Sequence, residues 1–377
     1  MSDETPQGTA PVPWRVTTAD IAHIIRGAHI LGSGGGGDTY AGQLWATDSV
    51  RGAGGVTIIP PEALDDDALV IAVAQVGAGT VFAERLARGQ EVERAVSTME
   101  RYLGQQAAAI LCYEIGGVNS MMPIVVAAQR GLPIVDADIM GRAFPELQMT
   151  TLDIYGAPSI PLTLSDERGN VTIIAATEDM FWTERLGRAL TLSMGGLAYV
   201  ARPVPRARDL HHLVVRGSYA RAWSIGAALA RAQEEGVPEE IALVSQGGRP
   251  ILRGIVTTIE RHVTGRKRGT ATIQETPDAT ASRTASLDFQ NEYLIVRQGT
   301  ETLATVPDII CVIDEETGAV VNTDTLHAGL QIIVVALPAD RKLTTPAALR
   351  LVGPLGFGYD IPYHAAFVQS ANVEEIG

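Results

Sequence analysis

The sequence predicts an α/β N-terminal domain with a largely parallel sheet, followed by a mainly β C-terminal domain. Three observations lead there. Strand-like and helix-like segments alternate between residues 55 and 136, the pattern of a parallel sheet with helices on its faces. After about residue 190 the texture changes to short strands separated by turn residues, as in a sandwich or barrel. The length of 377 residues suits two domains of the usual roughly 100–200 residues each. The expected division is 15–187 for the α/β half, carrying an acidic glycine-rich site, and 188–365 for the β-rich half, forming a wall of its cleft.

The elements follow in order. Thr17 or Thr18 can cap a first helix, with Ile21, Ile24, Ile25, Ala28 and Leu31 at helical spacing. That helix runs into the glycine run Gly32–Gly37, after which Thr39–Trp45 reads as a short helix. Val56–Ile59 and Leu69–Val76 read as strands, Val92–Leu103 as an amphipathic helix, and Ala108–Tyr113 as a strand ending at Glu114. Ser120–Gln129 is a helix stopped by Gly131, a natural C-cap. Pro133–Val135 is a strand ending at Asp136. Ile160–Leu164 and Val171–Ala175 flank a turn and read as a hairpin. Thr177 caps a helix with Glu178 and Asp179 in its first turn, ending at Gly195–Gly196. A helix over Tyr219–Glu235 precedes six strand-like runs: Ile241–Val244, Ile251–Ile259, Ala271–Gln274, Tyr293–Val296, Ile309–Ile313 and Gln331–Ala336.

Composition narrows the function. Hydrophobic residues make up 46% of the chain, and 29 basic against 43 acidic side chains leave a net charge of −14. Such a surface repels nucleic acid and anionic lipid, so neither is an expected partner. Cys112 and Cys311 lie in apolar runs and read as buried reduced thiols. Met1–Pro13 is polar and carries no signal-peptide pattern, and no apolar run nears the roughly 20 residues that span a bilayer. A soluble cytoplasmic protein, assembling as a homo-oligomer, is expected.

The chemistry concentrates between Glu114 and Thr150. Glu114, Asp136, Asp138, Arg142 and Glu146 stand around two strand ends, where open α/β sheets bind ligands. Gly116 and Gly117 let the chain turn sharply, and Asn119 either contacts a ligand or caps the next helix. In extended geometry Asp136 and Asp138 share a face. Two like charges that close would raise one pKa, placing a proton donor beside a base. Alternatively Glu114, Asp136 and Asp138 hold a divalent cation such as Mg²⁺. Zinc is the weaker option, because the seven histidines are scattered, without metal-binding spacing. Arg142 can neutralise a carboxylate or orient a carbonyl bidentately.

The glycine run Gly32–Gly37 follows a helix rather than a strand and ends in Asp38, which fits neither nucleotide-binding fingerprint. Its backbone at Gly34, Gly35 and Gly36 can instead approach a ligand closely. No GxSxG elbow occurs, so nucleophilic serine catalysis has little support. In the second half, Tyr359 and Asp360 sit in a glycine-shaped loop able to reach the cleft, and Arg266–Arg268 is a small basic cluster read as a solvated face.

Taken together, LGSGGGGD, EIGGVNSMMP, VDADIMGRAFPELQMTT, FQNEYL and GPLGFGYD resemble the S-methyl thiohydantoin desulfurase domain proteins, a family associated with hydantoinase/oxoprolinase genes. The resemblance runs from about Thr17 to about Tyr363. It implies an α/β domain joined to a β-rich one, and chemistry on a five-membered cyclic amide or thio-analogue. The matching polar positions are Asp38, Glu114, Asp136, Asp138, Arg142 and Glu146. The expectation is a hydrolase acting on a hydantoin or S-methyl thiohydantoin. Asp136 or Glu114 serves as base, Asp138 as acid, and the glycine-loop amides with Arg142 as donors; a metal-activated water is the variant. Gly34, Gly35, Gly36, Asp38, Asn119, Glu146, Tyr359 and Asp360 contact the small heterocycle. The alternative is a non-catalytic binding or assembly partner of a hydantoinase/oxoprolinase-type enzyme.

Overall fold

A computed structural model describes residues 13–37, 39–85, 87–204, 206–262, 268–275 and 283–367. The first sheet is built from β1 (Trp14–Val16), β2 (Val56–Ile59), β3 (Val70–Gly77), β4 (Ala109–Cys112), β5 (Ile134–Asp138), β6 (Leu162–Ser165), β7 (Val171–Ile174), β8 (Leu197–Pro203) and β9 (Val215–Arg216). Its order is β1-β2-β5-β4-β3-β8-β6-β7, with β9 on β5. The central strands β2, β5, β4 and β3 are mutually parallel. Antiparallel strands flank this core: β1 on one side, β8 and the expected β6–β7 hairpin on the other.

Helices connect and cover these strands: α1 (Thr18–Leu31), α2 (Thr39–Ala53), α3 (Gly79–Glu84), α4 (Glu91–Leu103), α5 (Met121–Arg130), α6 (Thr151–Ile154), α7 (Met180–Ser193), α8 (Leu210–Leu213) and α9 (Ser218–Glu235). Alternate strand residues feed two cores, as a sheet buried on both faces requires. Ile71, Val73, Ile110 and Ile134 face α1, α5 and α9. Val70, Ala72, Leu111 and Val135 face the loop after β5 and the C-terminal residues Val352 and Phe357.

The second sheet runs β14-β13-β12-β11-β10-β16-β15, antiparallel throughout. Its strands are β10 (Arg249–His262), β11 (Arg268–Glu275), β12 (Thr284–Phe289), β13 (Tyr293–Gln298), β14 (Glu301–Thr305), β15 (Ile309–Asp314) and β16 (Gln331–Leu337), with α10 (Glu239–Ser245) before it and α11 (Pro346–Val352) after it. The mainly β expectation therefore takes the form of one curled sheet.

Some boundaries differ from expectation. The run Ile241–Val244 is not a strand but part of α10, which starts after Pro238 and carries Glu239 and Glu240 in its first turn. A short β-branched run cannot declare its own geometry; the acidic residues at the positive end of the helix dipole favour the helix. The helix expected from Thr177 starts later, with Asp179 as its cap, accepting from the Trp182 amide at 2.9 Å. Thr177 instead bonds the Thr183 hydroxyl. The basic residues Arg266 and Lys267 lie outside the described residues. No helix among the described residues is long and apolar enough to cross a membrane.

Helices α1 and α9 cross at two glycines, and this contact fixes the wall beside the glycine run. A Cβ on Gly27 would lie 1.8 Å from the Ala222 carbonyl oxygen, and one on Gly226 would lie 1.8 Å from that of His23. Both obstacles are backbone, so only separation of the helices relieves them. Gly226→Ala is expected to lower the unfolding free energy by about 2 kcal/mol, the overpacking cost outweighing the helix-propensity gain. Gly52→Ala in α2, where a Cβ meets nothing within 4 Å, should raise stability by about 0.5–1 kcal/mol. Urea denaturation of the two variants measures both, and equal signs would contradict this packing.

Candidate functional site

The parallel strands β3, β4 and β5 end together, and the chain leaving each supplies one wall of a crevice. After β4 the backbone passes through Glu114 and Gly116 into a 3₁₀ turn at Gly117–Ser120. Glu114 is buried. Its Oε1 accepts from the Asn119 amide at 3.3 Å and its Oε2 from the Phe144 backbone N–H at 3.4 Å. Asn119 Oδ1 in turn accepts from the Gln75 N–H at 2.7 Å. Asn119 thus joins the ends of β3 and β4 to Glu114 rather than capping α5.

The glycine run lies directly against this turn. The Val118 N–H donates to the Gly36 carbonyl at 2.8 Å. Gly117 has φ +64°, and a Cβ there would lie 2.2 Å from the Gly36 oxygen, so only glycine lets the two loops touch. The second domain clamps the loop from the other side. Ser33, fully buried at φ +51°, donates its hydroxyl to the Ile310 carbonyl at 2.7 Å and accepts from the Ile310 N–H at 3.0 Å. Its own carbonyl accepts from Tyr293 N–H at 2.8 Å, and Gly34's from Thr323 N–H at 2.9 Å. A non-glycine residue at positive φ persists only where its surroundings hold it.

Glu292 enters from the turn between β12 and β13. It is 3% exposed, its Oε1 lies 2.4 Å from where a Gly35 Cβ would stand, and its Oε2 has no hydrogen-bond partner among the described residues. Burial and then repulsion from Glu292 push the Glu114 carboxyl well above the usual range. Burial pushes Glu292 up to about 7, against the opposing pull of Arg142 and Arg188. Arg142 is fully buried, and burial lowers it to about 10 while Glu292, Asp308 and Glu114 support its charge. Its Nε donates to the Ala143 carbonyl at 3.1 Å, and its terminal nitrogens donate to the carbonyls of Asp308 at 2.6 Å and Tyr293 at 3.3 Å. The guanidinium lies 5.2 Å from the Phe144 ring centre.

The structure redistributes the expected roles. The repulsion raising Glu114 comes first from Glu292, whereas neither Asp136 nor Asp138 is raised by the other. Asp136 accepts from the Tyr219 and Ala220 amides at 2.8 and 3.3 Å. Asp138 is fully buried and accepts from the Ile115, Met140 and Gly141 amides and the Ser218 hydroxyl. Burial raises both, Asp138 to about 6, and these donors oppose it. The two aspartates alternate correctly along β5, but the start of α9 claims them. Among the described residues no three His, Cys, Asp or Glu side chains are grouped to hold a metal ion, so Glu114, Asp136 and Asp138 do not form the expected cation site.

Glu146 is buried beside Gln148, whose amide it accepts. Tyr359 packs near Arg297, 6.0 Å from its ring centre, with Asp288 and Arg268 as charged neighbours, and Asp360 is exposed. The second-domain contact with the crevice is therefore Glu292 rather than Tyr359 and Asp360. Asp38 lies outside the described residues. Glu292, Ser33 and Gln75 stand outside the residues that the sequence marks for the site. Glu292 sits in the FQNEYL segment, where a charge directly before the apolar run Tyr293–Val296 was the available signal. Of two surface depressions, of about 390 and 270 Å³, one lies beside Val237, Arg253 and Glu315, and the other is lined by Asp136 with Pro60, Pro61, Arg216 and Gly217. Glu114 and Glu292 are both buried, and Gly35–Gly37 beside them are half-buried.

Asp138→Asn replaces one acceptor oxygen with a donor where three amides and a hydroxyl converge. It should cost about 2 kcal/mol or more, read as a lower urea midpoint at unchanged slope. An unchanged midpoint would remove Asp138 from the structural frame.

The S-Me-THD-like, N-terminal domain model matches residues 19–176, and the S-Me-THD-like, C-terminal domain model matches residues 178–366. A crystal structure of a protein from Chromobacterium violaceum is similar over 93% of this chain and 99% of that one, with a TM-score of 0.78 and 25% sequence identity. No curated protein matches. The chain therefore belongs, through both of its domains, to the S-methyl thiohydantoin desulfurase (S-Me-THD-like) family.

Proposed function

We propose that the protein hydrolyses the C–S bond of a small S-methyl thiohydantoin-type ring. The observation that carries this reading is the buried pair Glu114–Glu292 with an unpartnered carboxylate oxygen, at the junction of two domains whose family name points to thiohydantoin chemistry. Two buried carboxylates that feel each other's charge do not both ionise readily, so one holds a proton while the other stands as a base.

Glu292, kept partly ionisable by Arg142, removes a proton from water as its oxygen bonds to the ring carbon between the two nitrogens, and the C=N electron pair moves onto the ring nitrogen. The C–S bond then breaks and methanethiol leaves, taking its proton from the carboxylic acid of Glu114. The hydroxyl on that carbon gives its proton to the ring nitrogen as the carbonyl forms, and Glu292 returns its proton to Glu114. General acid–base assistance of this kind contributes about 10²–10⁴-fold. The clamp on Ser33 and Gly34 holds Gly35 against Glu292, so the base is positioned before the ring arrives.

Purified protein mixed with a 5-substituted 2-methylthio-imidazolone should release one equivalent of free thiol and form the hydantoin, followed by a thiol reagent and mass spectrometry. Absence of thiol release across a series of ring substituents would reject the reading. The rate at limiting substrate should rise with pH and level off above about 7, where Glu292 ionises. Glu292→Gln should remove this limb and lower the rate about 100-fold or more.

Stability carries the opposite sign. The folded pKa of Glu292, about 7, exceeds its ordinary 4.5, so the folded state binds more protons than the unfolded state between these values. Stability from this group is present below about 4.5 and is lost as pH rises toward 7. Glu292→Gln should therefore raise the melting temperature at pH 8 and leave it nearly unchanged at pH 4.5.

A further inference from the structure

We infer that the site takes its ring ligand as a planar cation, an amidinium- or isothiouronium-type heterocycle whose N–C–N edge faces Glu114 and Glu292. This rests on the placement of the site argued above, but not on the reaction assigned to it.

Glu292 Oε2 is buried without a partner, against the glycine run. Gln75 Oε1, at the C-terminal end of β3 whose N–H bonds to Asn119, and Gln290 Oε1, in the turn that carries Glu292, are buried without partners as well. The donors nearby are already committed. Arg142 directs its nitrogens at the carbonyls of Ala143, Asp308 and Tyr293, so it lends Glu114 and Glu292 positive potential. The Asn119 amide is held by Glu114.

Buried acceptors without donors are costly, and a ligand that supplies both N–H groups and charge relieves the cost. A neutral hydantoin supplies N–H groups alone, and an ionised imide would set a second negative charge beside Glu292. A cyclic amidinium presents two N–H groups in the fork that suits carboxylates. The charged groups acting on Glu292 are Arg142 and Arg188; Glu292 and Asp138 act in turn on Glu114, and Asp308 on Arg142.

Isothermal titration calorimetry on the full-length protein tests this with 2-aminoimidazoline, a cyclic guanidine that stays cationic throughout, against the neutral isosteres hydantoin and 2-imidazolidinone, from pH 5.5 to 8.5. The cation should bind at least about tenfold more tightly than either isostere at pH 8. Its affinity should fall about tenfold per pH unit below pH 7 as a proton competes for Glu292. Glu292→Gln should erase the preference. Equal or tighter binding of the isosteres, a pH-independent cation affinity, or no cation binding at millimolar concentration would overturn the inference; the wild-type titrations decide it even if the variant does not fold. Thiol release without a cation preference would sink this inference alone. A cation preference without thiol release would sink only the reaction.

Discussion

The structure around the crevice depends on one buried positive charge. Arg142 has no solvent exposure, and a lone guanidinium taken from water is expensive unless its donors and its charge are both answered. The protein separates the two tasks. Backbone carbonyls from its own loop and from both β13 and the segment before β15 take the hydrogen bonds. Glu292, Asp308 and Glu114 supply the countercharge through space. The same side chain therefore joins the two domains and makes it tolerable to bury Glu114 and Glu292 together.

The carboxylates divide into two kinds for the same reason. Asp136 and Asp138 are surrounded by donors: the amides that open α9, those of Ile115, Met140 and Gly141, and the Ser218 hydroxyl. They fix where α9 starts and hold the loop after β5 in place. Glu292 keeps an oxygen without a partner. A buried acceptor left unmet is rare and calls for an explanation, which the proposed chemistry supplies.

The glycine run has its meaning in contacts rather than in flexibility. Gly36 lies on Gly117, Gly35 lies under Glu292, and Ser33 is bonded on three sides by β13 and β15. Motion in this loop is linked to the docking of the second sheet, because the hydrogen bonds that shape it come from there.

Much of the fold was legible in the residues themselves. The alternation of apolar strands with amphipathic helices up to Asp136 gives the parallel core, since period and turn chemistry are local properties. The crowding of Glu114, Asp138 and Arg142 after strand ends marks the crevice. Charge on a run such as Glu292–Val296 was visible too, but its partner was not. Which carboxylate meets which depends on how the second sheet docks on the first, through Ser33, Arg142 and Tyr293, residues separated by over a hundred positions. The side chain on the run Ile241–Val244 likewise could not choose helix over strand until α9 and β10 set its place. Sequence fixes each segment's periodicity and chemistry because these act within a few residues. The pairing of Glu114 with Glu292, and the capture of Asp136 and Asp138 by α9, were decided by tertiary structure alone, because burial and hydrogen-bond competition exist only once distant segments have packed together.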